Sequence, residues 1–132
     1  MKVTGRCHCG EIRYEAEVDP ALVGICHCTD CRTLTGSAFR VTARAPAGSF
    51  KLTGEPRRYL KTADSGAQRI HAFCGTCGAP IYASAPENPL SYSLRVGALD
   101  RAAELAPQRQ IWCDSALPWA QDISGLPGSP KG

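Results

Sequence analysis

Seven of the eight cysteines in this 132-residue chain fall into three tight groups. These are Cys7-His8-Cys9, Cys26-His27-Cys28-Thr29-Asp30-Cys31 and Cys74-Gly75-Thr76-Cys77. Thiolates hold Zn²⁺ tetrahedrally at roughly 2.3 Å, so such ligands arrive most readily in pairs from tight turns. Gly78 follows the third group and Gly10 the first, and glycine readily takes the left-handed backbone conformation that such a turn needs. Three groups together point to metal rather than to disulfides or buried free thiols. Spacing alone does not say which groups share an ion: Cys7 and Cys9 could pair with the 26–31 group and leave Cys74 and Cys77 to find other partners. Ligand number gives a direction. Two groups bring two ligands each, which together close a structural site, while the third brings three and leaves a position open. Catalytic zinc keeps that position for water or substrate.

The elements that must position these groups read as short strands. Ile12 to Val18 and Phe39 to Ala43 alternate apolar and polar residues. Further strands are expected at Ser49–Leu52, Arg58–Thr62, Gln68–Phe73, Ile81–Ser84, Tyr92–Val96 and Gln110–Cys113, with turn residues between them. Helix is expected only as a turn over Thr29–Thr35 and a second over Asp100–Leu105. The pattern is that of one mostly β domain over residues 1–123, with a flexible tail over 124–132. Hydrophobic residues make up 43% and charged residues 20%, which excludes wholesale disorder.

The formal net charge is +3. Seven thiolates and two Zn²⁺ ions would bring it to zero, and Lys and Arg are scattered, so no nucleic-acid footprint remains. No apolar run is long enough to span a membrane. Residues Met1 to Cys7 lack the apolar stretch of a secretory signal, so the expected location is the reducing cytoplasm. The oligomeric state is not legible.

The residues resemble a known family. Gly5-x-Cys7-x-Cys9-Gly10 with a following Tyr14 looks like its opening motif. Cys26-His27-Cys28-x-x-Cys31-Arg32 with Gly36-Ser37 looks like its second, and Phe73-Cys74-x-x-Cys77-Gly78 like its third. Gly97-Ala98-Leu99-Asp100 and Ile111-Trp112-x-Asp114-Ser115-x-x-Pro118-Trp119 resemble its later landmarks. The family is the glutathione-dependent formaldehyde-activating family, which also includes centromere protein V-like proteins. The resemblance spans nearly the whole chain and implies a β-tent, Mss4-like zinc-binding fold. It also implies the pairing: Cys7, Cys9, Cys74 and Cys77 on a structural zinc, and Cys26, Cys28 and Cys31 on a catalytic one. The implied activity is that of a carbon–sulfur lyase on a thiol–aldehyde adduct such as S-hydroxymethylglutathione. A thiol on an open zinc position is ionised at neutral pH and can add to, or be released from, an aldehyde carbon. The competing class is a non-catalytic zinc scaffold or binding module.

Glutathione carries carboxylates, so cations should line its approach. Arg32, beside Cys31, is the first expectation for a substrate contact, with His27 as the second. Arg40, Arg69 and Arg95 are expected to be strand-surface charges, His8 a spacer, and His71 structural. Trp112 and Trp119 are expected to pack in the core or in a lid. Cys113 departs from the family pattern, which has an aliphatic residue there, and Gln110 stands where a histidine is common. Cys113 reads first as a buried thiol. It reads next as a fourth ligand closing the second zinc, and last as a redox cysteine like that of zinc-bearing methionine sulfoxide reductases.

Overall fold

The computed structural model describes residues 1–132 and resolves ten short strands and one helix. In chain order the strands are β1 (Lys2–Arg6), β2 (Arg13–Glu17), β3 (Gly24–Cys26), β4 (Arg40–Pro46), β5 (Lys51–Thr53), β6 (Arg57–Thr62), β7 (Gln68–Phe73), β8 (Pro80–Ser84), β9 (Ser91–Arg95) and β10 (Arg109–Ile111); α1 is Thr29–Thr35. A three-stranded sheet runs β1-β2-β5 and a seven-stranded sheet runs β10-β3-β4-β9-β8-β7-β6. All pairs are antiparallel except β10 with β3. No helix is long and apolar enough to cross a membrane. This is a mostly β architecture of the Mss4-like kind.

The core lies between the two sheets. Val3, Tyr14 and Ala16 come from the small sheet, and Ala43, Ala45, Ala72, Ile81, Tyr82 and Leu94 from the large one. Tyr14, Phe50, Tyr82 and Tyr92 stack across the gap with ring centroids 4.5–5.7 Å apart, within the range where aromatic pairs attract. Ala16, Ala43, Ala45 and Ala72 leave room between the sheets that the aromatic rings fill.

β1 and β3 were not legible as strands. β1 alternates exposed and buried residues, but its second inward position is Gly5 rather than an apolar side chain. Gly5 pairs across the ladder with Tyr14, whose ring fills the space a side chain would take: an added Cβ would meet Tyr14 Cζ at 2.5 Å. Gly5→Ala is expected to destabilise the fold by about 1–3 kcal/mol through this overpacking. Urea denaturation at constant metal content checks it, and an unchanged midpoint would show that the ring yields freely.

The helix has clear start and stop signals. Cys28 caps its N-terminus, its Sγ accepting from the Cys31 N–H at 3.3 Å. Gly36 ends it in the left-handed region at φ 72°, donating to the Arg32 carbonyl at 2.8 Å. The expected turn over Asp100–Leu105 is shorter, a single 3₁₀ turn at Ala102–Glu104. The Gly97–Asp100 stretch holds β1 in place: Asp100 N–H donates to Thr4 O at 2.9 Å, and Thr4 Oγ1 donates to the Asp100 carboxylate at 2.7 Å.

Candidate functional site

Two cysteine sets form. Cys7, Cys9, Cys74 and Cys77 bring their sulfurs within 4.8 Å of one another, and Cys26, Cys28 and Cys31 do the same.

The first set sits where two hairpins meet. Cys7 and Cys9 lie in the turn from β1 to β2, Cys74 and Cys77 in the turn from β7 to β8. The two turns share a build: Gly10 N–H donates to Cys7 O and Gly78 N–H to Cys74 O, with φ 84° and 77° at the glycines. The set therefore ties the small sheet to the large one. Cys7 and Cys74 are buried, and Thr76 Oγ1 bridges the turns by donating to Glu11 at 2.7 Å. Sulfur separations of 3.5 and 3.7 Å approach the edge of about 3.8 Å that a tetrahedron with ~2.3 Å metal–sulfur bonds requires. The donor set and its spacing fit a tetrahedral thiophilic ion such as zinc.

The second set is local. Cys26 ends β3, Cys28 caps α1 and Cys31 lies in its first turn. No fourth protein ligand joins the three sulfurs. Three soft donors with one side open fit a zinc site that keeps a position for another ligand. A cleft of about 660 Å³ opens beside Cys28, lined by Asp30, Tyr59, Lys61, Trp112 and Ser115 among others. Lys61 Nζ reaches the Asp30 carboxylate at 2.7 Å and fastens the start of α1 to β6.

Without a cation, the sulfurs of each set divide their protons unevenly. Burial opposes ionisation of Cys28, but the Cys31 N–H and the Cys31 and Cys26 thiols outweigh it and lower its pKa. Burial and the neighbouring Cys26 and Cys28 sulfurs push Cys31 up to about 12. In the first set, backbone N–H groups of Cys9 and Ala79 help hold Cys77 down to about 6. A cation taking every sulfur must expel the retained protons, so its binding strengthens with pH.

His27 is fully buried, its Nε2 2.8 Å from Gln110 Oε1 and its ring 5.5 Å from that of Phe39. A side chain with no exposed surface does not reach a substrate from this position. It instead braces the Cys26–Cys28 turn against β10, where the His27 N–H also donates to Ile111 O at 3.1 Å. Arg32 is half-buried on α1. His8 is exposed, as a spacer should be. Arg69 is exposed as expected, but Arg40 and Arg95 are not surface charges: only 6% and 7% of each is accessible. α1 covers the sheet face that carries them. His71 is buried beside Arg95, with Nδ1 3.2 Å from Arg95 Nη2.

Trp112 and Trp119 are exposed at 64% and 58%, so neither packs in the core. Trp112 takes φ +57° and forms part of the cleft wall beside Cys28. Cys113 follows it and is exposed, so it is not a buried thiol, and its sulfur does not join the second set. Lys61 and Tyr59 were missed in sequence. They sit on a strand with no motif, and only the return of β6 to α1 brings them to the cleft.

Residues 2–115 match the family described as glutathione-dependent formaldehyde-activating enzyme. The chain is also similar to a Rhodobacter sphaeroides protein of known crystal structure, with 26% sequence identity and a TM-score of 0.62. That likeness covers 81% of this chain and 98% of the other.

Proposed function

We propose, from the premise that this chain belongs to the glutathione-dependent formaldehyde-activating enzyme family, that it is a zinc-dependent carbon–sulfur lyase. Its substrate would be an adduct of glutathione or another small thiol with an aldehyde, such as S-hydroxymethylglutathione. The carrying observation is the second set: three sulfurs within 4.8 Å, no fourth protein ligand, and a cleft beside Cys28. A zinc ion bound there would supply a position for the substrate sulfur and stabilise it as a thiolate.

The protein's own residues supply the rest. Cys26, Cys28 and Cys31 would hold the ion and are the catalytic ligands of this reading, while Cys7, Cys9, Cys74 and Cys77 would hold the structural one. His27 and Gln110 keep the Cys26–Cys28 turn against β10, a positioning role. Arg32 adds positive charge one residue beyond Cys31 and remains the proposed substrate contact on α1. Trp112 and Tyr59 supply flat apolar surface in the cleft beside Cys28. As the carbon–sulfur bond of the adduct breaks, its electron pair goes to sulfur. The hydroxyl oxygen becomes the aldehyde carbonyl, and its proton leaves to water in the open cleft. The reverse sequence forms the adduct.

NMR exchange spectroscopy on glutathione and formaldehyde tests the reading. The zinc-loaded protein is expected to accelerate interconversion of free thiol and adduct well above the spontaneous rate. No acceleration by fully loaded protein would remove the lyase assignment and leave a zinc scaffold.

A further inference from the structure

The seven-stranded sheet has one face in the core and one under α1. Strand register assigns residues to the second. Cys26 pairs with Arg40, Thr42 with Arg95, Ser93 with Ala83, Ala83 with His71, and His71 with Tyr59. Side chains two apart on one strand share a face, so Arg40, Arg95, His71, Arg69 and Lys61 all lie on the α1 side.

Lys61 is paired with Asp30. None of Arg40, Arg69 and Arg95 forms an ion pair with a carboxylate. Arg40 Nε donates to Thr35 Oγ1 at 3.0 Å, but its Nη2 is buried without a partner. Arg95 donates to the Ser93 carbonyl at 3.3 Å and to His71 Nδ1, but its Nε is likewise orphaned. Two buried guanidiniums facing only neutral acceptors are costly, and such charges are normally matched by an anion. The second cysteine set answers only part of this. Three thiolates around one divalent cation carry a single negative charge, against the two buried guanidiniums of Arg40 and Arg95, with half-buried Arg32 on the helix above and exposed Arg69 at the margin.

The remaining charge has a place to be answered. A cavity of about 370 Å³ lies between α1 and the sheet, lined by Leu34, Tyr59, His71, Phe73, Pro80 and Arg95 among others. Its volume is at the small end of ligand pockets. Leu34 is one helical turn beyond Cys31, about 5 Å along the axis, and Tyr59 lines both this cavity and the cleft beside Cys28. His71 is neutral at pH 7: burial, with Arg40, Arg95, Lys61 and Arg69 around it, holds its pKa down to about 4. With Nδ1 accepting from Arg95, its proton sits on Nε2, a second donor.

We propose that this cavity is a carboxylate subsite, in which Arg95, backed by Arg40 and His71, binds a carboxylate of the same small thiol whose sulfur goes to Cys26, Cys28 and Cys31. The inference rests on the thiol reading for the substrate's identity. A ligand carboxylate there would give the buried guanidiniums the anion they lack.

The test uses S-methylglutathione, which keeps both carboxylates but has no free thiol, and its diethyl ester. Binding of each to the fully metal-loaded protein is measured by calorimetry. The acid is expected to bind at least about tenfold more tightly than the ester, and Arg95→Met is expected to remove that preference at unchanged metal content. Should Arg95→Met fail to fold, Leu34→Glu places a carboxylate at the cavity wall, leaves both guanidiniums intact, and is expected to weaken the acid by a similar factor. Equal binding of acid and ester to the unaltered protein overturns the proposal. So does an undiminished preference in a folded variant, or loss of a metal ion in Arg95→Met, which would assign the guanidinium to the cysteine set. Arg95-dependent binding of S-methylglutathione without accelerated glutathione–formaldehyde exchange would uphold the subsite while the lyase reading falls.

Discussion

Cys74→Ala is expected to leave the chain without a cooperative fold. Cys74 is buried, and its set is the junction of the β1–β2 and β7–β8 hairpins, hence of the two sheets. Structural zinc sites contribute about 10–16 kcal/mol of apparent binding free energy in small domains, where a whole domain's stability is about 5–15 kcal/mol. A core of 17 buried residues, two of them ligands of this set, offers little to offset such a loss. Circular dichroism of the variant, and of the unaltered protein after strong chelation, should show collapse of tertiary signal in both. A variant that unfolds cooperatively near the original denaturant midpoint would show that the core suffices alone.

Cys28→Ser is expected to do the opposite: keep the fold and lose the chemistry. Cys28 Sγ does two things, offering one of the three ligands and capping α1 through the Cys31 N–H. Serine is a good cap and a poor zinc ligand, so the substitution separates the roles. One metal ion should be lost, and the exchange rate should fall by more than about 100-fold, beyond the loss typical of groups that only support a ligand. Cys113→Ser should change neither quantity, since its sulfur is exposed and outside both sets. Retained exchange in Cys28→Ser would move the chemistry elsewhere. Loss of a metal ion in Cys113→Ser would mean that the C-terminal segment closes over the second set.

How far the sequence was readable differs by residue. The β7 segment and α1 were bounded correctly because each carries its own local signals: alternation over Gln68–Phe73, and a cap with a terminal glycine over Thr29–Thr35. The membership of both cysteine sets followed from the family resemblance; spacing alone left the pairing open. β3 escaped because three residues show no period, and one of its neighbours, β10, lies far along the chain. Arg40 and Arg95 read as surface charges because they occupy the polar positions of alternating strands. Nothing local says that a seven-residue helix covers that face. The burial of His27 was equally hidden: Gln110, eighty-three positions on, pairs with it inside. The departures at Gln110 and Cys113 also separated in meaning. Gln110 replaces a common histidine and still provides a partner for His27, whereas Cys113 stands on an exposed turn and touches neither set.

The two cysteine sets differ in reach along the chain, and this orders assembly. Cys26, Cys28 and Cys31 enclose a loop of a few residues, while Cys9 meets Cys74 across 65 positions. Closing the longer loop costs about 2 kcal/mol more in chain entropy, before any strand pairing compensates. A nascent or unfolded chain can thus gather an ion on the short loop while the long one stays open. The four-sulfur junction would be complete only once β7 and β8 have been made and brought to β1 and β2. If both sets take an ion, loop entropy favours filling the proposed catalytic set first and the junction between the sheets last.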